Sequence, residues 1–171
     1  MGAFVAIAVM ATGCDRCTKK RERLEYESLG AKLGTFVEEL RPFDAVIRPP
    51  PSELANSLSG DPRAQLARNV TMARGCIAAK PAVAKISLTP SEFAEPPVRE
   101  GAEAIVAAAN AFGVAVKVCE AHGDLVEMEC PLKCVPAWNA LNAAFGKVHT
   151  EASSRGVTTP VFSRDLSNET H

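Results

Sequence analysis

The stretch VAVKVCEAHGDLVEMEC, residues 114–130, places His122 directly after a run of alternating apolar residues. An imidazole there could move a proton near neutral pH, or take a phosphoryl group on an unprotonated ring nitrogen. His122-Gly123-Asp124 is equally ordinary turn chemistry, with glycine for positive φ and aspartate for a bond to its own backbone. Both readings of His122 stay open at this point. The cysteines are the second source of chemistry. Cys14-Asp15-Arg16-Cys17 has CxxC spacing, and Cys130 and Cys134 form a CxxxC pair, together enough thiolates to hold zinc. The pairs lie far apart, however, Pro131 and Pro136 crowd the second, and no adjacent histidine completes either. Disulfides are the next alternative, but a chain of this size with a good core does not need them. Mostly unpaired structural thiols are expected, with no metal and no cofactor. His149 and His171 sit in no pattern. Asn69-Val70-Thr71 and Asn168-Glu169-Thr170 match glycosylation acceptors, which carry weight only beside a secretory signal.

The elements that must position these groups fit one domain of 171 residues, long enough to bury a substantial core. A formal net charge of -1 leaves no electrostatic footprint for nucleic acid or an anionic membrane. Aromatics at 5% argue against a stacking platform for single-stranded nucleic acid. The opening MGAFVAIAVMATGC is too short to span a bilayer as a helix. Thr12-Gly13-Cys14 resembles a lipoprotein cleavage site, but no Lys or Arg precedes the apolar run as in a signal peptide. A buried first strand, Ala3 to Met10, is expected instead, in a protein without a transmembrane segment.

From there strand and helix alternate. CTKKRERLEYESLGAKLGTFVEEL carries Leu24, Leu29, Leu33, Phe36, Val37 and Leu40 at helical spacing. FDAVIRP reads as a strand entering the proline loop Pro49-Pro50-Pro51, followed by a loop or insertion. PRAQLARNVTMARGCIAA is helical, with Pro62 suited to a first turn. VAKISLT alternates as a strand, and PPVREGAEAIVAAANAF is a helix stopped by Gly113. VAVKVCEA is a strand, PAWNALNAAFGKVHTEAS a helix, and GVTTPVF a last strand. Helices between strands mean a single-domain, three-layer α/β/α fold around a mostly parallel sheet. Ligand sites in such sheets form at the carboxyl ends of strands, where Ala11-Thr12-Gly13 and His122-Gly123 fall.

That order of elements resembles the histidine phosphatase superfamily, which includes the phosphoglycerate mutases. ESLGAKLGTFVEELRPFDAVIRPP is similar to its first helix, second strand and proline loop. LARNVTMA is similar to its arginine helix, which implies Arg68 as a phosphate-binding arginine. ISLTPSEFAE stands where its acidic loop belongs, implying Glu95 as the acid, with Glu92 as the alternative. VKVCEAHGDLVEM is similar to the second histidine motif, and GVTTPVFSRDLSNETH to the final strand and tail. The resemblance spans nearly the whole chain in order, with about residues 49–62 as an insertion.

Where the family carries Arg-His-Gly, this chain has Ala11-Thr12-Gly13, without the nucleophilic histidine or its arginine neighbour. Phosphoryl transfer needs an in-line nucleophile and fixed cations on the equatorial oxygens. Thr12 has no adjacent activating base. Cys14 is a better nucleophile beside Arg16, but is off the required position. The resemblance therefore implies a degenerate member: Thr12, Gly13, His122 and Glu95 as a vestigial site, with Arg68, His122 and Arg16 left to bind an anion. The expected role is a pseudoenzyme serving as scaffold or subunit of a protein complex, with a phospho-ligand as an added possibility and an intracellular location. An active phosphatase with a non-standard nucleophile is one alternative. A second is a redox protein using Cys14 and Cys17 in a thioredoxin-like α/β fold, which the 11 residues after Pro160 leave too little chain to complete. A third is an anchored helical bundle, which would read Ile105, Ala109, Phe112, Val116 and Cys119 as one helix running past Gly113.

Overall fold

The computed structural model describes residues 15–48, 61–120 and 126–162. It contains α1 (Asp15–Ile47), α2 (Pro62–Ala84), α3 (Pro96–Glu120) and α4 (Val126–Ser153), with a short 3-10 turn at Pro90–Glu92. Among the described residues there is no strand. The α/β/α fold with a parallel sheet is therefore corrected to a helical fold, in which one helix does run past Gly113 as the third alternative above required.

The reason lies in spacing. Along α3, Ile105, Ala109, Phe112, Val116 and Cys119 recur at alternating intervals of four and three residues, and all five are buried. Val114 and Val118 share the run's period-two pattern, but Val114 points to solvent, 64% exposed. Packing of the heptad face overrides the strand preference of the valines and the weakness of Gly113 in a helix. FDAVI likewise continues α1, with Ile47 buried at its end. In VAKISLT, Val83 and Ala84 close α2 and the rest is a connection, while GVTTPVF runs as irregular chain. The first strand expected at Ala3–Met10 lies outside the described residues, as does most of the insertion. The expected helices are all present, and all four are longer than foreseen.

α1 buries Tyr26, Leu29, Leu33, Val37, Leu40 and Ile47 along one stripe. α2 buries mainly small residues, Ala73, Gly75, Cys76, Ala79 and Ala82, which lets α1 come close. A Cβ at Gly75 would stand 2.8 Å from Val46 Cγ1 and 3.3 Å from Ile47 Cγ1. Asp61 caps α2 by accepting from the Arg63 N–H at 2.9 Å, with Pro62 beginning the first turn. α3 packs chiefly on α4. By length and composition α3 could cross a membrane, but its apolar stripe, Val98 through Cys119, is turned into the bundle, as expected of a core helix.

After α4 the chain turns back at Gly156, whose φ of 74° suits glycine. The Gly156 N–H donates to the Ser153 carbonyl and the Val157 N–H to Ala152, the Schellman arrangement that ends a helix. The tail then lays Phe162 against Trp138 and Phe145, with centroids 5.2 and 5.1 Å apart, and Phe112 meets Trp138 at 5.3 Å. His149 Nδ1 donates to the Thr159 carbonyl at 2.6 Å and ties the tail to α4.

Disulfides link Cys76 of α2 to Cys134 of α4, and Cys119 of α3 to Cys130 of α4. The expectation of unpaired thiols is corrected for these four. Their Cα atoms stand 6.4 and 4.7 Å apart, within the span a disulfide needs. Cys130 and Cys134, one helical turn apart, take different partners, so they are not a shared zinc pair.

Candidate functional site

The start of α1 is charged because its first turns face solvent: no residue from Arg16 to Glu25 is buried, and Tyr26 is the first that is. Arg16, Lys19, Lys20, Arg21 and Arg23 fall in this stretch. The end of α4 and the start of α3 meet it. Arg155, just past α4, donates from Nε to Glu22 Oε2 at 2.5 Å and from Nη1 to Glu151 Oε2 at 3.0 Å. Its guanidinium lies over the Tyr26 ring, 5.2 Å from the centroid. The Glu22 hydrogen bond holds Arg155 above its ordinary pKa. Burial raises the Tyr26 phenol, opposed by Arg155 and reinforced by Glu151, Glu22 and Glu100.

Two depressions flank this knot. The larger, an open groove of about 570 Å³, is lined by Lys19, Lys20, Glu22, Arg23, Ser154 and Arg155. The smaller, about 80 Å³, lies beside Tyr26 between Glu100 and Gly101 of α3 and Lys147, Val148 and Glu151 of α4. The groove lining holds four cationic side chains and one acid, with Arg155 paired to Glu22 and Glu151 and Arg23 to Glu27 at 3.1 Å, and its chemistry is attraction of an anionic group. Among the described residues no cluster of His, Cys, Asp and Glu is arranged to hold a metal.

The residues singled out from sequence go to different places. Thr12, Gly13, Cys14 and His122 lie outside the described residues. Glu95 is buried, but as a structural group: its carboxylate pairs with Arg21 Nε at 3.0 Å. Next to it, Glu25 of α1 accepts from the Ala94 and Glu95 N–H groups at 3.1 and 3.0 Å, placing a carboxylate at the start of α3. Glu92 is exposed and pairs with Lys32, whose hydrogen bond lowers its pKa; Lys32 also lies 5.6 Å from the Phe93 ring centroid. Both candidate acids thus fasten the segment before α3 to α1. Arg68 is half-buried on α2, and Arg16 and Cys17 are exposed in the first turn of α1. None of these lines the groove. Nothing in the sequence singles out Lys19, Lys20 and Arg23, since a charge run on an amphipathic helix ordinarily marks a solvated face. Ser154 and Arg155 reach the groove only through the fold.

No protein-family model, no curated protein and no solved structure matches this chain. The sheet implied by the histidine phosphatase resemblance is absent among the described residues, so the strand ends that would have joined Thr12 to His122 have no counterpart there.

Proposed function

We propose that the chain works through its surface, as a rigid helical subunit or scaffold that holds an acidic protein partner in the groove between the start of α1 and the end of α4. The phosphatase kinship is not part of this reading, because the sheet that would place its site is absent among the described residues. The observation that supports it best is the gathering of charge. Lys19, Lys20, Arg23 and Arg155 line one groove with Glu22 the single acid among them, on a chain of formal net charge -1. Two disulfides into α4 restrain the helices behind that surface, which reduces the ordering cost of binding.

Binding of a fluorescent poly-glutamate peptide to the full chain, followed by anisotropy, tests this. Affinity should fall steeply with salt, and the charge reversal K19E/K20E/R23E should weaken it at least tenfold; equal binding by the variant removes the proposal. Arg155 is left in place because it braces Tyr26. Inorganic phosphate supplies the rival outcome. A rise in melting temperature at millimolar phosphate, lost in the same variant, would make the ligand a phosphate group instead.

A thiol–disulfide role keeps one supporting observation, Cys17 exposed in the first turn of α1 three residues after Cys14. Insulin reduction that disappears in Cys17→Ser would transfer the proposal to it.

A further inference from the structure

α3 presents to solvent a face that an amphipathic helix ordinarily covers with charge. Its inner positions, Ile105, Ala109, Phe112 and Val116, are buried in the bundle. On the opposite side Glu103, Ala107, Asn110, Val114 and Lys117 follow at intervals of four and three residues, and all five are exposed. Ala111 is exposed beside them, and Val114 is 64% exposed. Within residues 104–116, Asn110 is the only polar side chain. The outer face of α1, by contrast, carries Arg23, Glu27, Glu38 and Arg41. The uncharged face of α3 runs for about 21 Å between Glu103 and Lys117.

The charges at its two ends indicate what covers it. Glu103 and Lys117 are opposite in sign, and neither forms an ion pair or hydrogen bond among the described residues. They stand seven residues to either side of Asn110, which makes the face self-complementary under a two-fold rotation. A second α3, antiparallel and centred on Asn110, sets each Glu103 against the partner's Lys117. The two Asn110 amides meet at the axis, where each can both donate and accept. Ala107 and Ala111 let the helices approach closely, and Val114 fills the space beside them. A lipid surface fits this face less well. Helices that lie on membranes carry basic residues along a polar face, whereas here one acid and one base flank an apolar one.

We infer that the face of α3 from Glu103 to Lys117 is the contact surface of a symmetric, antiparallel homodimer. One helix face per copy is a small interface, so the dissociation constant is on the order of micromolar. No residue of the groove at the start of α1 takes part, so this contact stands or falls separately from the acidic partner.

Sedimentation velocity on the full chain, from low micromolar to submillimolar concentration, tests this. The wild type should pass from monomer to dimer and stop there, because a two-fold interface closes on itself. E103K and K117E each bring like charges together at two symmetry-related places, and each should weaken dimerisation about tenfold. E103K/K117E restores opposite charges and should dimerise as the wild type does. Mixing the two single variants should give a heterodimer tighter than either homodimer. Val114→Glu should leave a monomer. All three positions are exposed, so the fold should persist in every variant, which circular dichroism checks. A wild type that stays monomeric, or that keeps growing past the dimer, overturns the inference. A dimer indifferent to the single reversals, or not recovered in the double one, overturns it as well. So does a monomer that floats with neutral phosphatidylcholine vesicles and loses that binding in Val114→Glu, which would assign the face to lipid.

Discussion

Tyr26 shows how much one position can carry. Its ring is fully buried and supports the Arg155 guanidinium, while its hydroxyl has no hydrogen-bond partner among the described residues. An unpaired buried hydroxyl is destabilising, so Tyr26→Phe, which keeps the ring and removes only the oxygen, should raise stability by about 1 kcal/mol at neutral pH. The phenol also gives a pH signature. Burial raises its folded pKa above the ordinary 10.0, so the folded state holds its proton more tightly than the unfolded chain. That contribution is complete below pH 10 and is lost as pH rises through the folded value. Urea midpoints measured on both sides of pH 10 should therefore fall further for the wild type than for Tyr26→Phe. Parallel curves would mean that the phenol is solvated. Glu95 teaches the converse lesson: an acid selected for catalysis is engaged by Arg21 and sits at the start of a helix that Glu25 caps. A carboxylate reads the same in sequence whether it meets a substrate or a neighbouring helix.

The helices were partly legible. Pro62 announced the start of α2 through local chemistry, and Leu29, Leu33, Val37 and Leu40 announced the buried face of α1 by spacing. Gly113 misled because a glycine after an apolar helical run is the usual sign of an end, and the end is decided by what the next turns can bury. Val116 and Cys119 bury fully or nearly so, and α3 continues. That continuation carries Cys119 to within reach of Cys130 in α4, so the wrong end for one helix also concealed a disulfide. The two bridges differ in the length of chain they close, 58 residues for Cys76–Cys134 and 11 for Cys119–Cys130. On loop-closure entropy, Cys76→Ser/Cys134→Ser should cost about 4 kcal/mol and Cys119→Ser/Cys130→Ser about 3 kcal/mol. Guanidinium denaturation of the two double variants measures both values. A larger loss from the shorter loop would show that lost packing, and not chain entropy, sets the effect.

For the whole molecule, one consequence concerns the activity that the element order implied. Phosphoryl transfer to histidine depends on two strand ends delivering groups to a common cleft, and the expected strands that fall among the described residues are absorbed into α1, α2 and α3 or run as connections. Hydrolysis of an aryl phosphate should therefore stay at background, with no change in His122→Ala; turnover that depends on His122 would restore the phosphatase reading. The sequence by itself determined that the chain could bury a substantial core, where the central part of each helix lies, and that Pro62 opens α2. These follow from side chains acting on near neighbours. Only the tertiary structure decided between strand and helix for the short valine-rich runs, which cysteines pair, and what Glu95 and Arg155 touch. Short apolar runs satisfy both periodicities until a partner surface selects one. The contacts that made the selection join residues far apart in the chain, such as Arg155 with Glu22 at a separation of 133, and no local pattern encodes them.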